Sequence, residues 1–295
     1  MPQPMNSLYE GATHVFDPLH YFWEKDSTQR TVAGILVIIF IVALATIEMK
    51  RQGWISGGMA DLIPTSHYMA INLAFTLVLL LEVISLIFTL PCSISKAVGK
   101  QFEILALILL RSAFKTLADF PEPITITGHE KELWIILSDG GGAIIIFGLL
   151  GVYTLLRRSL EETIKGGPPL FKFVAAKKVV ALIMLVTFLG MGIKNATLFF
   201  TGQTPFNFFQ SFYTVLIFSD ILLVLIAQRF LPEFKAVFRN SGFALATLLI
   251  RLALTAPPYY NVLIGIGSAV FACTLTLLYN TFCSQNSRFN SHKRS

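Results

Sequence analysis

Apolar residues in this chain come in long, nearly unbroken blocks rather than in strict alternation. Eight such blocks run over 31–49, 67–91, 101–120, 133–156, 176–200, 207–229, 241–256 and 259–282. A hydrocarbon layer about 30 Å thick is crossed by about 20 residues of helix. The pattern therefore predicts an all-α integral membrane protein with about eight transmembrane helices. Two blocks are weaker than the rest: 101–120 carries charges, and 241–256 is short unless it starts near Lys235. A six-span alternative lays those two on the surface and leaves both chain ends on the same sides.

The blocks also repeat. Residues 80–116 and 218–255 each hold an acid within an apolar run, then Pro, Lys-Ala-Val, a second apolar run and an arginine. The acids are Glu82 and Asp220, the lysines Lys96 and Lys235, the arginines Arg111 and Arg251. With four spans per copy, both copies enter the membrane from the same side. They read as two parallel-related four-helix repeats about an axis along the membrane normal, with two bundles side by side as the simplest packing. The divisions are an N-terminal arm over 1–30, a first repeat over 31–158, a basic Gly/Pro linker over 159–175, a second repeat over 176–283 and a tail over 284–295. The linker holds Gly166, Gly167, Pro168 and Pro169, which end helices. The arm carries Tyr9, Phe16, Tyr21, Phe22 and Trp23 and reads as an interfacial segment or a docking arm, with Pro18 interrupting any long helix.

Composition agrees with the membrane reading: 54% of residues are hydrophobic and only 14% charged, against roughly a quarter in soluble domains. The net charge of +6 does not point to nucleic acid, because the basic residues sit in short loops between apolar blocks. Lys96, Lys100, Arg157, Arg158, Lys165, Arg229, Lys235 and Arg239 fall on the side of the N-terminus, whereas Lys50, Arg51, Lys131 and Lys194 fall on the other. Positive charge collects on the cytoplasmic side. Both termini are accordingly expected in the cytoplasm, as in a bacterial-type inner membrane. Cys92, Cys273 and Cys283 show no metal-binding spacing, and the histidines lie in loops or at block ends, so no metal, haem or other cofactor is expected. No nucleophile–base grouping favours an enzyme.

The candidate chemistry lies in charges placed where hydrocarbon makes them costly. Glu82 stands 14 residues before Lys96 and Arg111 stands 15 after it; Asp220 stands 15 before Lys235 and Arg251 stands 16 after it. Acid and arginine in each hairpin thus reach similar depth, which predicts one acid–arginine pair per copy. Lys100, Glu103, Leu107, Arg111 and Lys115 recur every three or four residues on one helix face. Lys115 and Asp139 sit at similar depth and suggest a second pair in the first copy, while Asn72 and Thr76 are candidate lining residues. Gly140, Gly141 and Gly142 allow either close helix packing or approach to a ligand. The plainest alternative for every pair is that it only fixes helix register.

A four-helix unit with an acid in its second helix is coarsely similar to a voltage sensor. The fourth helix has no arginine before Arg157 and Arg158, which excludes a voltage-driven role. The expected function is movement or sensing of a small ion, proton or charged solute through a polar bundle interior. The alternative is a membrane anchor or quinone-linked subunit of a larger redox complex. Expected partners are the lipid bilayer, a small charged solute or proton, and a second copy or membrane-complex subunit. Topology has a direct check: a fluorescent reporter fused to either terminus in bacterial cells should fluoresce, and alkaline phosphatase fused there should be inactive. Active phosphatase at either end contradicts the charge reading.

Overall fold

The computed structural model describes residues 3–55, 63–121, 124–157 and 168–292. Most of the expected linker lies outside the described residues. Among those described there is no strand, and nine α-helices follow one another: α1 (Gln3–Glu24), α2 (Asp26–Arg51), α3 (Tyr68–Thr89), α4 (Ile94–Lys115), α5 (Glu130–Arg157), α6 (Pro168–Phe200), α7 (Phe208–Phe230), α8 (Phe234–Thr255) and α9 (Tyr260–His292). Seven of them, α2, α3 and α5 to α9, are long and apolar enough to cross a membrane. The remaining long helix of the expected spans, α4, matches α3 in length at 22 residues but carries Lys96, Lys100, Glu103, Arg111 and Lys115.

Local chemistry sets several helix ends beyond the apolar blocks. Ser93 caps α4, its hydroxyl accepting from the Lys96 backbone N–H at 3.3 Å, so the helix starts at Ile94 and not near 101. The helix expected from 241 starts at Phe234, directly after Glu233. Pro18 does not break α1. Proline removes one donor and crowds the carbonyl four residues back. That carbonyl belongs to His14, which like Pro18 is exposed, so water can satisfy it. Packing holds the helix: the Phe16 ring meets Phe88 of α3 at 5.7 Å, and Lys178 of α6 pairs with Asp17 at 2.6 Å.

The helices do not sort into two side-by-side bundles along the sequence division. One core joins α4 and α5 to α8 and α9 through Phe102, Leu105, Ile146, Tyr153, Phe243 and Ile250. The other joins α3 to α6 and α7 through Ile87, Phe88, Met184, Phe188, Phe212 and Leu216. The third helices of the two sequence copies, α4 and α8, touch each other, and so do the fourth, α5 and α9. Small residues explain why. A Cβ on Gly142 of α5 would collide with a Val262 methyl of α9, and one on Gly265 of α9 would lie 3.0 Å from Ile146 of α5. Helices with glycine at the contact approach more closely than others allow. The halves therefore interlock through their last two helices, and α2 stays at the edge, with Ile47 its one buried residue.

This packing assigns the glycine run. Gly142→Ala should destabilise the protein by about 1–3 kcal/mol through overpacking, and Val262→Ala on the same chain should recover most of that loss. Gly141→Ala, with nothing within 4 Å, should be neutral or better. Thermal unfolding in detergent measures all three, and equal losses for Gly141 and Gly142 contradict the assignment.

Candidate functional site

In the first hairpin, Arg111 of α4 forms an ion pair with Glu82 of α3 through Nη1 and Oε1. The Phe75 and Phe114 rings also meet across these two helices, tilted at 34° with centroids 5.7 Å apart. The pair is largely but not wholly enclosed, with Glu82 12% and Arg111 23% exposed. Both carboxylate oxygens of Glu82 and Arg111 Nη1 are buried, and the two side chains border a cavity of about 230 Å³ also lined by Trp23, Gln29, Val32, Leu36 and Ser85. The end of α1 forms one wall. Trp23 donates its indole N–H to Ser85 Oγ at 2.8 Å, and the Gln29 side-chain amide donates to the Trp23 carbonyl at 2.8 Å.

A second cavity, about 460 Å³, opens between α2 and α3 at their connected end. Thr46 and Ile47 line it from α2, Asn72 and Thr76 from α3. Thr76 Oγ1 donates to the Asn72 backbone carbonyl at 2.7 Å, and the Asn72 side-chain oxygen has no hydrogen-bond partner among the described residues. The rim is tied by His67, whose Nε2 lies 3.1 Å from Glu48 Oε2 and whose Nδ1 lies 3.0 Å from Arg51. Along α3 the nearest lining residues, Thr76 and Val78, are two positions apart and so point to different faces of the helix; the two cavities share a face on α2 and not on α3. Along α2 they are separated by the stretch from Leu36 to Ala43, about 10 Å of helix that includes Ile39 and Phe40.

The second hairpin is closed. Asp220 of α7 and Arg251 of α8 are 8% and 1% exposed, with Arg251 Nε 3.6 Å from Asp220 Oδ2. That distance gives Coulomb attraction without a good hydrogen bond. Thr247 and the amide of Gln101, from α4, border the same spot. Gln101 is absent from the sequence-derived candidates. Its signal is its place with Val98, Leu105 and Leu109 at helical spacing, a stripe that is buried throughout.

Asp139 and Lys115 do not form the expected pair. Lys115 is exposed at the last residue of α4, where its charge suits the helix C-terminus. Asp139 is 1% exposed and accepts from the side-chain amide of Asn261 on α9 at 2.9 Å. The α8–α9 turn makes this contact. Tyr259 adopts a left-handed φ of 72°, a strained state for a residue with a side chain. It follows Pro257 and Pro258 and turns the chain back so that Asn261 falls in the first turn of α9. Glu103 also departs from the cluster, pairing with Lys100 at 2.6 Å on the exposed face of α4.

No group of three or more His, Cys, Asp and Glu side chains positioned for a metal occurs among the described residues. Comparison with protein families, with curated proteins and with solved structures gives no match, so function rests on this geometry alone.

The buried pair yields a stability test. Arg251→Leu alone leaves the Asp220 carboxylate uncompensated and should cost about 3–5 kcal/mol. The double variant Asp220→Leu with Arg251→Leu should lose much less. Unfolding in mixed detergent micelles compares them, and a double variant as unstable as the single would show that the pair is not an electrostatic unit.

Proposed function

We propose that this protein moves or senses a small ion, proton or charged solute along the seam between α2 and α3. The observation that carries the reading is that two cavities lie along one face of α2, with the Glu82–Arg111 pair in one and Asn72 and Thr76 in the other. In this reading α4 is the eighth membrane crossing, its charges admitted because α3, α5, α8 and α9 surround it. The two copies run parallel and both termini face the cytoplasm of a bacterial-type inner membrane. The Glu82 cavity is then the cytoplasmic vestibule and the Asn72 cavity the outer one.

Ile39 and Phe40 form the barrier between the vestibules, because they lie on the face of α2 that carries Leu36 and Ala43. α2 makes contact only with α1 and α3 among the helices with substantial packing, so it is the element free to shift. Glu82 is the group that gains and loses a proton or meets a cation, and Arg111 holds its charge when the site is empty. Asp220 with Arg251 and Asp139 with Asn261 brace the bundle behind the path. Lys115 stands outside it.

Glu82→Gln keeps the shape and removes the ionisable group. In proteoliposomes loaded with a pH-sensitive dye, the wild type should show a pH-dependent proton or cation flux, and Glu82→Gln should abolish it while eluting as a folded species. Unchanged flux in the variant removes Glu82 from the path, and no flux from the wild type under any cation gradient overturns the reading.

A further inference from the structure

Gln101, Asp220 and Thr247 come from three different helices and border a void of about 30 Å³ whose other walls are Leu90, Ile94, Val98 and Leu223. All three polar residues are more than nine-tenths buried, at 2%, 8% and 4% exposure. The Gln101 carbonyl oxygen and Asp220 Oδ2 each have no hydrogen-bond partner among the described residues. Thr247 donates its hydroxyl hydrogen to the Ala244 carbonyl at 2.8 Å and keeps its lone pairs for acceptance. Two unsatisfied acceptors thus border one small space, and the Arg251 Nε donor, 3.6 Å from Asp220 Oδ2, lies beyond the range of a good hydrogen bond.

Buried acceptors without donors are costly, and a polar void that admits one water probe and offers two to four polar neighbours is where a structural water belongs. A metal cation fits poorly. The Arg251 guanidinium, 3.6 Å from the same carboxylate, already supplies the positive charge, and the space is that of a single water. We propose that this void is a specific water-binding site in which one molecule donates to Gln101 Oε1 and to Asp220 Oδ2. The water is the hydrogen-bonded link between α4 of the first half and the acid–arginine pair of the second. Gln101 is a positioning residue: it acts on Asp220 through the water. The site stands whether or not the α2–α3 seam conducts anything.

X-ray radiolytic footprinting of the purified full-length protein tests it, because hydroxyl radicals generated from a bound water oxidise the side chains beside it. Leu90 and Leu223, 3% and 8% exposed, should be oxidised well above Ile146 and Leu216, which are 0% exposed and border no polar void. Gln101→Leu should lower that oxidation several-fold and leave the exposed Trp54 unaffected. Oxidation of Leu90 and Leu223 at the level of Ile146 in the wild type overturns the proposal. So does unchanged oxidation in a folded Gln101→Leu protein. Should that variant not fold, the wild-type comparison decides alone.

Discussion

An ionisable group within a stack of apolar helices is retained beside an opposite charge, a hydrogen-bonding partner or a hydrated space. This constraint accounts for the placement of the most polar helix. α4 carries five ionisable side chains over 22 residues and lies against α3, α5, α8 and α9. Its charges divide by depth and direction. Lys100 and Glu103 neutralise each other on the exposed face, Lys115 sits at the helix end, and Arg111 turns inward onto Glu82. On the opposite side the same helix delivers Gln101 to the Asp220–Arg251 pair.

The interlocked packing follows from that position. With α4 central, α5 and α9 must pass close to each other, and Gly142 and Gly265 make that approach sterically feasible. Polar contacts then fasten the two helices along their length: Asp139 with Asn261, Cys273 with the Leu149 carbonyl, and Asn280 with the Leu156 carbonyl. Among the described residues α2 is tied only near its ends, by Gln29 to the Trp23 carbonyl and by Glu48 and Arg51 to His67. Its apolar Ile35, Val37, Ile38, Ile41 and Val42 are exposed, and the two cavities lie along its inward face.

Much of this was legible in the residues. Unbroken apolar blocks gave the helical membrane class, and spacing about Lys96 and Lys235 pointed at Glu82 with Arg111 and Asp220 with Arg251, which do meet. Depth arithmetic failed for Lys115 and Asp139 because it counts rise along a helix and ignores azimuth. The partner of Asp139 depends on the left-handed Tyr259, a backbone state that no side-chain pattern announces. The side-by-side bundles failed for a related reason. Adjacency in sequence ranks neighbours by loop length, whereas here complementary glycine faces on α5 and α9 decide. Gln101 was hidden among apolar residues because an amide draws no attention until the charge beside it is known.

Cysteine accessibility along α2 tests the central claim most directly, because it reads the two vestibules and the barrier in a single helix. Leu36→Cys should react with a membrane-impermeant thiol reagent only from the cytoplasmic side and Ala43→Cys only from the outside. Phe40→Cys should react slowly from both. Equal protection of all three positions, as expected for a seam filled by lipid or protein, would contradict the account.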